Sequence, residues 1–95
     1  MENGKLELNE DSNRFELEVD GTTAFIDYKL RDDVMSLIHT EVPKELERKG
    51  VGSKIVHMAL TYIKEHNYKV APLCSFVASY VVKHPEWKSI LAPGA

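Results

Sequence analysis

The segment Glu47-Arg48-Lys49-Gly50-Val51-Gly52-Ser53 holds the residue types and spacing most suggestive of chemistry. Two glycines one residue apart let a backbone turn tightly and approach a ligand closely, because no Cβ intervenes. If a helix opens there, its first amides are unpartnered and its dipole presents a positive end, an arrangement suited to a phosphate. Lys49 and Lys54 add charge. The same glycines equally serve a plain turn into a helix, so the pattern carries weight only between a strand and a helix. A second candidate is Cys74, the one cysteine. It directly precedes Ser75, a plausible N-cap, and a thiol at a helix N-terminus has its pKa lowered toward the reactive thiolate. Such a residue could be a nucleophile, line a pocket, or pack as a small apolar group. His39 and Glu41 are two residues apart and share a strand face. His57 and His66 are nine apart on one helix, the wrong spacing for metal ligands on a common face. With a single cysteine as well, no metal and no intramolecular disulfide are expected.

The elements that must position these groups are legible from periodicity. Phe15, Leu17 and Val19 alternate with Glu16, Glu18 and Asp20, the pattern of a half-buried strand. Asp20-Gly21 is a strong hairpin signal, and residues 22–30 return with Ala24, Ile26, Tyr28 and Leu30 on one face. Leu6 and Leu8 suggest a short strand before this hairpin. Arg31-Asp32-Asp33 turns into a strand over 34–42, where Val34, Ile38 and Val42 share one face and Met35 and Leu37 the other. That pattern predicts a central strand covered on both sides. Pro43 stops it. From Gly50 to His66 the period becomes helical, through Ile55, Ala59, Tyr62 and Ile63, and Asn67 can end the helix. Lys69–Cys74 reads as a short strand, followed by a helix from Ser75 limited by Pro85, and a tail anchored by Trp87, Ile90 and Leu91. Met35, Met58, Phe15, Phe25 and Phe76 are expected in the core. The order is β-β-β-β-α-β-α, an α/β fold with four antiparallel strands and a fifth parallel to the fourth. Ligands in such sheets favour the carboxyl ends of the parallel strands, here residues 40–42 and 73–74.

Ninety-five residues predict a single domain over 1–95. Apolar residues at 43% and charged residues at 28% are ordinary for a globular chain and argue against disorder. No apolar run is long enough to cross a bilayer, and the first residues lack the features of a secretory signal. A reducing, cytoplasmic location and a monomer are expected. The net charge of −3 is uneven. Residues 1–33 carry ten acidic and four basic side chains, and residues 34–95 carry five acidic and eight basic. No concentrated basic stripe marks a nucleic-acid binder, although the positive second half could favour a small anion.

Taken together, Ile38-His39-Thr40-Glu41-Val42-Pro43, then Gly50-Val51-Gly52 opening a helix, then Leu73-Cys74 before a helix with Tyr80 and His84-Pro85-Glu86-Trp87, resemble the GNAT acyltransferase superfamily, and more closely its small single-domain branch of acetyl-CoA-dependent N-acetyltransferases. The resemblance covers about residues 14–91. It implies acetyl-coenzyme A bound between the fourth and fifth strands and an amine acceptor. The pyrophosphate would lie on Arg48, Lys49, Gly50, Val51, Gly52 and Ser53, with Thr40 to Val42 along the pantetheine arm. The superfamily loop usually begins with Gln or Arg where this chain has Glu47. Four side chains become catalytic candidates: Glu41 as general base, His39 as its partner, Tyr80 as proton donor to the departing thiolate, and Cys74. A coenzyme A-binding or protein-interaction module without turnover is the alternative.

Overall fold

The structure, a computed structural model, describes residues 5–93; the N-terminal residues read above for a secretory signal lie outside the described residues, as do the side chains of Lys5 and Arg48. The elements are β1 (Lys5–Asn9), β2 (Arg14–Val19), β3 (Thr22–Arg31), β4 (Val34–Glu41), α1 (Val51–Glu65), β5 (Lys69–Pro72) and α2 (Ser75–Lys83). Two 3-10 helices, Lys44–Lys49 and Pro85–Ile90, add to this set. They occupy stretches expected as loop and tail.

The strands form one sheet in the order β1-β2-β3-β4-β5. The first four pair antiparallel and β5 runs parallel to β4. Local chemistry sets the tight turns. Asp20 and Gly21 both take positive φ, 53° and 77°, as a two-residue primed hairpin turn requires. Asp32 and Asp33 do the same at 53° and 64°, since short polar side chains tolerate the left-handed region better than most. At the far end of α1, Asn67 takes φ 60°. Its amide donates to the Lys64 carbonyl and that of Tyr68 to the Ile63 carbonyl, which satisfies the last carbonyls of the helix in a Schellman arrangement.

One face of the sheet carries Phe15, Leu17, Ala24, Ile26, Met35, Leu37 and Val70, all essentially inaccessible. Ile55, Val56, Ala59, Leu60 and Ile63 of α1, Val77 and Val81 of α2, and Leu46, Trp87 and Ile90 of the 3-10 helices bury into the same cluster. Both helices therefore cover one face. The expectation of a fourth strand covered on both sides fails. Its physical reason is a bulge: Tyr28 pairs with Leu37 but Asp27 pairs with His39, so Ile38 is an extra residue in β4 and is 41% exposed. A bulge shifts the alternation by one, which breaks the assumed common face of Val34, Ile38 and Val42. The expected core placement also fails for Phe25, half-buried on the open face, and for Phe76, 43% exposed.

Candidate functional site

Beyond the bulge, residues opposite Ile26 lie on the helix-covered side and residues opposite Asp27 and Phe25 on the open side. Register puts Thr40 on the covered side and His39 and Glu41 on the open one. The expected shared face of His39 and Glu41 is present, and His39 Nε2 donates to Glu41 Oε1 at 3.0 Å. Behind them, Arg14 lies 3.8 Å over the Phe25 ring and donates to Asp27 at 2.8 Å. The Phe25 ring is 6.2 Å from that of His39.

β4 and β5 pair only from Val34–Lys69 to Leu37–Pro72. The Cys74 amide then donates to the Leu37 carbonyl at 3.0 Å, and past this point the strands part. β5 ends at Pro72 rather than Cys74, because Leu73 bends back to donate its amide to the Ala71 carbonyl. The helix N-cap is Cys74, not Ser75. Cys74 is half-buried, with Sγ 3.5 Å from Thr40 Oγ1. Burial pushes its thiol pKa up, but the Thr40 hydroxyl and the amides of Val77, Phe76 and Thr40 favour the thiolate more strongly and leave the pKa below that of an ordinary thiol. The thiol therefore lies at the mouth of the parted strands. Two of the sequence candidates, Thr40 and Cys74, meet there across a sequence separation of 34 residues.

At the start of α1, Gly50 takes φ 73° and acts as N-cap with no side-chain capping hydrogen bond. The first amides of α1 consequently keep their donor capacity. Space around Gly50 is open, whereas a Cβ on Gly52 would lie 2.7 Å from Cζ of Phe76 and 3.5 Å from Cγ2 of Val42. The two glycines thus answer different demands: Gly50 supplies a left-handed turn and Gly52 a bare flank for the Phe76 ring. Ser53 is exposed and Val51 buried. Lys49 is held 2.9 Å from Asp20 at the tip of the β2–β3 hairpin. The Arg48 backbone belongs to the 3-10 helix.

Tyr80 is turned toward α1. Its hydroxyl lies 3.4 Å from Nδ1 of His57, its ring 4.3 Å from that of His84, and His57 meets Trp87 edge-on. Burial, followed by the nearby Glu86 carboxylate, raises the Tyr80 pKa, so the hydroxyl keeps its proton. No hydrogen bond among the described residues joins Tyr80 to Cys74, His39 or Glu41. Sequence reasoning places Phe76 in the core and sets His57 aside as a metal ligand, and puts neither at the site. The spacing of Phe76, Tyr80 and His84 at every fourth residue was the available signal, since it places Phe76 and Tyr80 on one stripe of α2, with His84 following at its C-cap. Among the described residues no three His, Cys, Asp or Glu side chains converge on a metal-sized site.

A family model described as GCN5-related N-acetyl-transferase matches residues 14–90. The chain belongs to this family. A solution structure of a GCN5-like Staphylococcus aureus protein, named among the N-acetyltransferases, is similar to it with TM-score 0.73 and 26% identity, over 97% of this chain and 91% of that one. The fold is accordingly the GNAT fold in a small form, a mixed five-stranded sheet with its helices inserted after β4 and after β5.

Proposed function

We propose that the protein transfers an acetyl group from acetyl-coenzyme A to an amine by direct attack. The observation that carries this reading is the parting of β4 and β5 beside the uncapped start of α1, in a chain of this family. Beyond Leu37 the β5 side of β4 has no strand partner, so main-chain groups of residues 40–42 are available to the amides of a pantetheine arm. The free amides from Gly50 to Ser53 suit the pyrophosphate. Lys49 and Arg48 are on the same loop, with Lys49 already balanced by Asp20.

The acceptor approaches from the open face, where Glu41 and His39 sit. The amine nitrogen attacks the thioester carbonyl carbon, and its proton passes to Glu41 directly or through water. His39 orients that carboxylate through the 3.0 Å contact. The carbon–sulfur bond breaks with its electron pair on sulfur, which then takes up a proton. Tyr80, kept protonated by its burial, can supply that proton once its hydroxyl leaves His57. Cys74 lines the donor cleft at the thioester end. The gain comes mainly from holding donor and acceptor in attack geometry.

Two measurements test this. Saturating coenzyme A raises the melting temperature, by the equivalent of roughly 2.7 kcal/mol at a hundredfold excess over Kd. Acetyl-coenzyme A releases free thiol when candidate amines are added. An unchanged melting temperature removes the donor site. Stabilisation without thiol release for any amine leaves a binding module without turnover. An acetyl mass on Cys74 that chases onto an added amine replaces direct attack by a covalent route.

A further inference from the structure

His57 stands behind Tyr80, where α1, α2 and the Pro85–Ile90 turn meet. On α1, Val56 and Leu60 are sealed in the core, which leaves residue 57 on a flank of the helix. Its Nδ1 lies 3.4 Å from the Tyr80 hydroxyl. Edge-on packing against the buried Trp87, with ring centroids 5.6 Å apart, fixes the plane of the imidazole. Tyr80 is half-buried and His57 exposed, so the pair joins the interior of the molecule to solvent.

A hydroxyl against an imidazole nitrogen has two arrangements. With His57 neutral and its proton on Nε2, Nδ1 carries a lone pair and the Tyr80 hydroxyl donates to it. With His57 protonated, both ring nitrogens are donors. Nδ1–H then donates to the Tyr80 oxygen, and the hydroxyl hydrogen is freed. The contact survives while its direction reverses. Histidine is the side chain that changes charge near neutral pH. Its other titratable neighbours are few. From the α2 side His84 stacks on Tyr80 at 4.3 Å, and from the following turn the Glu86 carboxylate acts on Tyr80. On α1 itself Lys54 and Thr61 are one turn away, and Glu65 and Tyr62 share a shallow groove with His57 to which β1 contributes only Leu6. Among the described residues no carboxylate forms an ion pair with His57.

We infer that His57 is a positioning residue for Tyr80: neutral His57 holds the hydroxyl hydrogen, and protonated His57 releases it and then replaces it. This role rests on Tyr80 being the proton donor of the proposed function. Tyr80 gives its hydroxyl proton to the departing sulfur and takes the Nδ1 proton of His57 in its place. No phenolate is left in the half-buried site, where a bare charge would be costly. His57, left neutral, regains a proton from water at its exposed edge.

The hydrogen bond is tested by NMR on the chain without acetyl-coenzyme A. The signal of the Tyr80 carbon that bears the hydroxyl should shift in step with His57 protonation, because its oxygen turns from donor to acceptor. His57→Phe, which keeps a ring against Trp87, should abolish that step, and His84→Phe should keep it. A Tyr80 signal that stays still while His57 titrates, or a step that follows His84, overturns the inference. Turnover is read as the ratio of thiol-release rates, wild type over His57→Phe, which cancels the ionisation of the amine. With His57 protonated the ratio should be about tenfold, under the roughly 10²-fold floor for losing a proton donor because Tyr80 remains. It should fall to one or below as pH rises. A ratio independent of pH overturns the inference and leaves acetyl transfer intact. Absence of thiol release from the wild type at every pH, with the coupled Tyr80 shift present, overturns the proposed function and this role with it.

Discussion

The two halves of β4 behave as different materials. From Val34 to Leu37 the strand is paired on both edges, and Met35 and Leu37 are sealed in the core. From Ile38 to Glu41 it keeps β3 but loses β5, and its side chains emerge half-buried or exposed. One residue makes the change. The bulge at Ile38 reverses which parity faces the helices and coincides with the point where β5 turns away. The first half is a packing element. The second half has Thr40, with Cys74, on the helix-covered side and His39 and Glu41 on the open side, the sides that the proposed function gives to donor and acceptor. The same strand serves both roles because a bulge re-aims side chains without breaking the antiparallel ladder.

The contrast can be broken most forcefully at its end. Glu41→Gln should slow turnover ~10²–10⁴-fold while coenzyme A still raises the melting temperature; a wild-type rate on a true acceptor would reduce Glu41 to a surface carboxylate. Next in size, Leu37→Ala in the sealed half should cost ~2–5 kcal/mol in a denaturant titration. Ile38→Ala, one residue on, should cost no more than about 1 kcal/mol. Comparable losses at the two positions would mean that the halves are not distinct. Gly52→Ala tests the flank of the donor side. The clashing atom is the far end of a half-exposed Phe76 ring, so stability should fall by less than about 1 kcal/mol. The displaced ring should nonetheless weaken coenzyme A, and Phe76→Ala in the same chain should restore the stability.

The smallest effect concerns Cys74. Its pKa lies below that of an ordinary thiol, so its alkylation rate should rise at lower pH than that of the same cysteine in the unfolded chain. Thr40→Val should move that profile upward, and coenzyme A should slow the reaction. The linkage has a definite sign. A depressed folded-state pKa contributes stability that is fully present above the unfolded value and fades as pH falls through the folded one. Stability should therefore fall slightly as pH is lowered from the unfolded-state pKa through the folded one, less in Thr40→Val than in wild type. Alkylation that needs denaturant would place Cys74 in the core instead.

Much of this architecture was written locally. Asp20-Gly21 announces its hairpin because primed turns demand positive φ, and Asn67 its helix end for the same reason. The alternation in β2 fixes its buried face without knowledge of any partner. What escaped the sequence depends on pairing across distance. The β4 bulge exists only relative to Asp27 and Tyr28, and Ile38 itself looks like any core isoleucine. Phe25 read as core because its cover is a guanidinium from another strand. Phe76 read as core because its partner is a missing Cβ, that of Gly52. The candidate site was legible as a set of residues and not as an arrangement: the period-two rule placed His39 beside Glu41, but nothing local tied Tyr80 to His57 or Lys49 to Asp20.

The strand order β1-β2-β3-β4-β5 repeats the order of the chain, and this bears on how the molecule assembles. Each strand finds its partner in its immediate predecessor, so the first four can zip up as successive hairpins with short loop closures, at rates set by local contacts. The cleft does not belong to that ladder. It needs β5 and α2 to dock from the last quarter of the chain, after α1 has crossed the sheet. Amides of β2 and β3 should accordingly exchange with solvent slowest and those of α2 and the Pro85–Ile90 turn faster, so that the part of the molecule placed last is also the part a bound donor would hold most visibly.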